Sequence, residues 1–157
     1  MRSGRVAVLD TNVLLLLLVA SVDISLLRTY KRVSQFTAQD ATALEDLLRS
    51  FQGLATTPHV LSETDNFVDH APAYRRQNLK NGLIRFIERS PERYRRATEL
   101  ANFDGFIPLG LTDCGLIDFQ QEAVVITTDF RLAGHIQTRN GLAVNFKEYS
   151  AAYQRDV

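Results

Sequence analysis

Arg5-Val6-Ala7-Val8-Leu9-Asp10-Thr11-Asn12 decides the fold, together with its counterpart Val124-Val125-Ile126-Thr127-Thr128-Asp129 near the other end of the chain. Each is an apolar run too short for an ordinary helix that stops on an aspartate. A buried parallel strand delivers a carboxylate to the carboxyl edge of an open sheet in this way. Ligands of open α/β sheets bind at that edge. Taking a carboxylate out of water is costly unless something compensates it, so two such aspartates brought together call for a cation or a retained proton.

The segments between these strands read mainly as helices. Asn12 to about Ala20 is apolar on nearly every side, with Thr11 or Asn12 as its cap, and Leu26 to Val33 suggests a short helix. Thr37 or Asp40 caps a helix through Ala43, Leu44, Leu47, Leu48 and Phe51, with Gly53 as its stop. Leu54 to Thr57 is a short strand, and Thr57-Pro58 begins a helix on which His59, Glu63, Asn66 and His70 share one face. A longer helix runs from Ala73 to Ser90, Pro91 begins another to about Asn102, and Phe106 to Leu109 reads as a very short strand or extended approach. Thr112 caps a helix from Asp113 to Glu122, Ala123 to Thr127 is a strand, Phe130 to Arg139 a helix, and Ala143 to Phe146 a last strand before a helical tail. Strands alternating with helices predict a three-layer α/β/α sandwich around a central parallel sheet.

At 157 residues the chain reads as one domain over 1–157, large enough to bury roughly 70% of its unfolded surface. Apolar residues at 45% and charged residues at 23% are those of a soluble globular protein. The single cysteine, Cys114, excludes an internal disulfide framework and suits a reducing, cytoplasmic setting. Arg2 and Arg5 ahead of the run Val13 to Ala20 and Ser21 have the outline of a secretion signal. Asp10 and Asn12, however, fall where that outline needs apolar residues. A membrane span would need about 20 apolar residues, so no membrane is expected.

Four carboxylates recur at comparable places: Asp10 after the first strand, Glu63 in the second turn of a helix, Asp113 in the first turn of another, and Asp129 after a later strand. Oxygen donors without histidine or cysteine select Mg²⁺ or Mn²⁺ over zinc. The chemistry such a site performs on a phosphodiester is hydrolysis. Each acid also has a plainer role: Asp129 as a helix cap, Asp113 as a first-turn acid favoured by the helix dipole, Glu63 as a solvated surface residue. Asp10 is the hardest to explain that way, since a buried strand precedes it and a buried helix follows. Asn12 and Thr128 flank the ligand positions and are candidates to orient a carboxylate or water. Asp118, five residues after Asp113, lies about 140° around the helix and is not expected to join them.

These motifs resemble the PIN-domain family of nucleases. Leu9-Asp10-Thr11-Asn12-Val13-Leu14-Leu15 is similar to the family's opening strand, aspartate and apolar helix. Thr57-Pro58-His59-Val60-Leu61-Ser62-Glu63 is similar to the segment with its central acid. Leu111-Thr112-Asp113-Cys114-Gly115 and Ile126-Thr127-Thr128-Asp129-Phe130 are similar to its closing motifs. The resemblance implies a Mg²⁺- or Mn²⁺-dependent endoribonuclease with Asp10, Glu63, Asp113 and Asp129 as catalytic metal ligands. Many compact bacterial members are toxins neutralised by a small antitoxin protein and are often dimeric, so the resemblance also implies RNA as substrate, an antitoxin and a homodimer as partners. The chain departs from that group in a slightly short interval between Asp113 and Asp129, and in the added length of Lys31 to Gly53 and Ala73 to Asn102.

The formal charge is zero, yet residues 75 to 96 hold eight basic side chains against Glu88 and Glu92. A basic rim recruits a polyanion that an acidic metal site would otherwise repel, which makes Arg75, Arg85, Arg89 and Arg93 candidates for RNA binding. Two other readings compete. One is a PIN-like fold kept as a non-cleaving RNA-binding or protein-interaction module, against which the four intact acids argue. The other is a phosphate-ester hydrolase of another doubly wound fold. Those with an aspartyl nucleophile usually place a second aspartate two residues on, where this chain has Asn12.

Overall fold

The opening run forms β1 (Val6–Leu9), the inner strand to which the rest of the sheet is added. It pairs in parallel on one side with β2 (Gly53–Ala55) and on the other with β3 (Ala123–Thr127), which pairs in parallel with β4 (Leu142–Asn145). The order is β2-β1-β3-β4. The computed structural model describes residues 4–157, so Arg2 lies outside the described residues. Ala7, Val8 and Leu9 of β1 and Val125 and Ile126 of β3 are almost fully buried, as strands covered on both faces must be.

Helix α1 (Thr11–Val22) follows β1, and its apolar residues are buried around most of its circumference. It is sandwiched between β3 and the helices α3 (Ala38–Arg49), α4 (Pro58–Val68) and α5 (Ala73–Arg89), which is why a helix without a polar face is stable here. Thr37 and Asp40 cap α3 reciprocally, and Ser150 and Tyr153 of the last helix, α10 (Phe146–Arg155), hydrogen-bond to Asp40 and Asp46 of α3. The step from β1 to β2 moves one way across the sheet, and the step from β3 through α9 (Phe130–Thr138) to β4 moves the other way. Right-handed crossovers therefore put α1 and α9 on opposite faces. The result is the three-layer α/β/α sandwich, with its topological switch between β1 and β3.

Several local expectations change. Pro91 does not begin a long helix: Thr56 at the sheet edge donates to Pro91 O and accepts from Arg93 N, holding residues 91–93 extended, and only Ala97–Leu100 (α6) makes a helical turn. Phe106–Leu109 is a one-turn helix, α7, not a strand: Leu109 N donates to Gly105 O and Gly110 N to Phe106 O, which closes the turn locally. Gly110, at φ 91°, turns the chain directly into α8 (Leu111–Ile117), so Thr112 lies inside that helix and does not cap it. Gly53 opens β2, and α3 ends at Ser50. After α9, Asn140 takes the left-handed conformation, and a Cβ on Gly141 would lie 2.6 Å from the Ile136 side chain. Among the described residues no helix is long and apolar enough to cross a membrane.

Candidate functional site

The switch point brings the two decisive aspartates together. The Asp10 backbone N–H donates to Ile126 O of β3 at 2.9 Å, extending the β1–β3 pairing one residue past the strand. Asp10 then turns out of the sheet and is itself the N-cap of α1, its Oδ1 accepting from Thr11 N at 2.8 Å. Neither Thr11 nor Asn12 has the capping role. Its other oxygen, Oδ2, accepts from Thr127 Oγ1 at 2.6 Å, and that hydroxyl accepts from Asp129 N at 3.0 Å. A continuous hydrogen-bonded path thus links the edge positions of β1 and β3.

Glu63 enters from α4. Thr57 accepts from Val60 N, Pro58 occupies the first turn, and Val60, Thr64 and Val68 bury one face of the helix. Glu63 Oε2 accepts from Thr11 Oγ1 at 2.9 Å, so one buried threonine contacts two acids, through its backbone N–H and its hydroxyl. On another flank of α4, Lys80 pairs with Asp65 and Asp69, leaving Glu63 to the site. Asp113 sits in the first turn of α8, half-buried and without a side-chain hydrogen bond among the described residues. Asp129 caps α9, its Oδ1 accepting from Arg131 N at 2.8 Å and Leu132 N at 3.3 Å.

Electrostatics show that these acids share a neighbourhood. Burial raises the Asp10 carboxyl above its ordinary range; hydrogen bonds from Thr127 and Thr11 oppose this, and Glu63 and Asp129 push it further up. Asp113 is raised to about 7, first by burial and then by the charges of Asp10, Asp129 and Glu63, against the Arg131 guanidinium. Four carboxylates from four distant chain segments therefore repel one another with little cationic compensation.

A hard divalent cation fits this donor set. Glu63 Oε1, Asp129 Oδ2 and both oxygens of Asp113 accept no hydrogen bond from the described residues, and no soft ligand accompanies them. The side chains are not already gathered as a ligand set: among the described residues no three His, Cys, Asp or Glu groups are arranged to hold an ion. Thr11, Thr127 and the α9 N-terminus each take up one acid oxygen.

The orienting hydroxyls belong to Thr11 and Thr127; their neighbours Asn12 and Thr128 make no side-chain hydrogen bond among the described residues. The signal was present in the sequence. Thr127 is the last residue of its strand, and Thr11 immediately follows the aspartate whose carboxylate it supports. Asp118 is buried and held by both Nε and Nη2 of Arg95, while Arg93 donates to its backbone oxygen and lies over Phe119, so it braces the end of α8. His59 lies beside Gly115, and the His70 ring bonds to Asn66 O.

The basic segment is not a uniform rim. Arg75 pairs with Asp23 at 2.8 Å, and Arg93 pairs with Glu122 and Asp118. Arg85 and Arg89 line a groove of about 410 Å³ with Leu17, Ser21, Gly53 and Leu54. Gly53 opens its strand, so this groove faces the amino edge of the sheet, away from the acids. No protein-family model, curated protein or solved structure matches the chain. The likeness to PIN-domain nucleases thus rests on the sequence motifs alone.

Proposed function

We propose that this protein is a Mg²⁺- or Mn²⁺-dependent endoribonuclease. The observation that carries the reading is that Asp10, Glu63, Asp113 and Asp129 lie within reach of one another's charge at the topological switch point, where burial first and then the charges of the other three raise Asp113 to about 7. Such repulsion destabilises the free protein, and a cation relieves it. The choice of RNA draws on the motif resemblance.

Asp10, Glu63, Asp113 and Asp129 would hold the ion, which supplies the positive charge that a phosphodiester and an attacking water require. Thr127 and Thr11 fix the Asp10 carboxylate from both sides, so its orientation is set before substrate arrives. Thr11 fixes one oxygen of Glu63 and leaves the other free. The α9 N-terminus fixes one oxygen of Asp129 in the same way. Burial and the neighbouring acids keep the Asp113 proton to near neutrality, so that binding of an ion there would be coupled to pH.

Incubation of the purified chain with total RNA and with structured tRNA, with Mn²⁺ or with EDTA, tests the reading. Cleavage in Mn²⁺ that stops in EDTA is expected, with Asp10→Ala binding RNA but leaving it intact. Metal-independent cleavage, or binding without cleavage by the unaltered chain, contradicts it; the second result identifies a binding module.

A further inference from the structure

Asp118 differs from every other acid that forms an ion pair among the described residues. Its side chain is 3% exposed, whereas the others are between 17% and 69% exposed. Arg95 meets both its oxygens, Nε at 3.1 Å from Oδ2 and Nη2 at 2.9 Å from Oδ1, and Arg93 Nη1 donates to its backbone oxygen at 2.8 Å. A buried ion pair adds little net stability, because lost hydration offsets the attraction, and apolar side chains of like volume pack as well. They lack direction: a guanidinium that holds both oxygens of a carboxylate admits one mutual orientation.

That orientation reaches the acids at the sheet edge. Asp118 closes α8, and Asp113 lies in the first turn of the same seven-residue helix. Asp113 has no side-chain hydrogen bond among the described residues, and α8 begins at Gly110 without a side-chain cap, so the helix as a whole sets where Asp113 stands. The far end of the brace is Thr56, whose N–H donates to Pro91 O at 3.0 Å and whose oxygen accepts from Arg93 N at 2.9 Å. The next residue, Thr57, caps α4, the helix that carries Glu63, and its methyl group would lie 3.7 Å from a Cβ on Gly115 of α8. One dipeptide, Thr56-Thr57, therefore ties the helix of Glu63 to the helix of Asp113 at two places.

We infer that Arg95 and Asp118 are positioning residues for the cation site: their pair fixes α8 against α4, and so sets how tightly the four acids take up Mg²⁺ or Mn²⁺. The inference rests on the metal-site reading and adds to it a pair that lies outside the four acids.

The test measures Mn²⁺ binding without RNA, from the EPR signal of the free ion, beside thermal melts and cleavage rates. In the double variant Asp118→Leu with Arg95→Met, Tm stays within about 4 °C of the unaltered chain. Its Kd for Mn²⁺ rises about tenfold, the usual cost of losing a group that orients a ligand. Cleavage then needs about ten times more Mn²⁺, with KM for RNA within about twofold. Arg95→Lys keeps the charge without the two-point contact and raises Kd about threefold; it decides the matter should the double variant not fold. A Kd within about twofold of the unaltered chain in the folded variants, or a rise that vanishes at a temperature where the variant is fully folded, overturns the inference while the metal-site reading stands. An unaltered chain that takes up no Mn²⁺ overturns both.

Discussion

The carboxyl edge of the sheet and the basic stretch from Arg75 to Arg96 are both dense in charge, yet the fold treats them oppositely. At the edge, acids from four distant segments come within reach of one another's charge with little to neutralise them, and burial together with that repulsion pushes two toward their protonated forms. In the basic stretch four of the eight charges are taken up one by one: Arg75 by Asp23, Lys80 by Asp65 and Asp69, Arg93 by Asp118 and Glu122, Arg95 by Asp118. Uncompensated charge at a half-buried position marks a site, whereas charge density along a surface helix marks only a supply of ion pairs.

The largest expected effect that sharpens this contrast is at the acids. Asp10→Asn or Asp113→Asn reduces RNA cleavage by more than about a hundredfold, beyond what loss of a supporting hydrogen bond usually costs. Circular dichroism and gel filtration serve to show that each variant is folded. A loss under tenfold would remove those residues from the site. Next come the hydroxyls: Thr127→Val keeps the shape but frees Asp10 Oδ2, and lowers activity about 10- to 100-fold. Asn12→Ala, by contrast, changes it little, as steady-state rates with Mn²⁺ would show.

Much of the fold was legible because each buried strand ends on its own punctuation. Val6 to Leu9 and Ala123 to Thr127 are runs that only a covered sheet accommodates, and the aspartates after them fall where β1 and β3 diverge. Glu63 was legible through the Thr57-Pro58 helix start, which sets the phase of α4. The misread pieces depend on contacts no local pattern announces. The stretch after Pro91 stays extended because Thr56, far away in sequence, needs backbone partners. The fates of Arg75 and Arg93 depend on Asp23 and Glu122, distant in the chain. The exchange of Asn12 and Thr128 for Thr11 and Thr127 turns on side-chain direction, which spacing leaves one residue uncertain.

Stability should reveal the same asymmetry. The unfolded Asp113 and Asp10 carboxyls ionise near 3.8, whereas the folded protein holds their protons to higher pH, in the case of Asp113 to about 7. Their contribution is therefore greatest below pH 4 and is lost as pH rises toward 7. The paired acids Asp23, Asp69 and Asp104 have lowered values, so their contribution is lost only as pH falls below the ordinary range. Thermal melts between pH 5 and 8 should show a declining Tm without divalent ions, and Asp113→Asn should flatten the decline. Mg²⁺ at a hundredfold excess over its Kd should raise Tm by about 5–10 °C, from a linkage of about 2.7 kcal/mol. A Tm indifferent to both pH and Mg²⁺ breaks the contrast.

The smallest effect belongs to the basic helix. Arg85→Ala with Arg89→Ala lowers RNA affinity less than about threefold and changes the salt slope by less than about 0.5, because the groove they line faces the opposite edge. A larger loss would mean that RNA wraps around the molecule to reach it.

The central claim, that four acids form one cation-binding group, is tested most directly by following the Asp113 side-chain carboxyl by ¹³C NMR across pH, with and without Mg²⁺, in the unaltered chain and in Asp10→Asn. The account predicts a midpoint near 7 without metal, a lower one in Asp10→Asn, and a large fall on adding Mg²⁺. A midpoint close to 3.8 that neither the substitution nor the ion moves would contradict it.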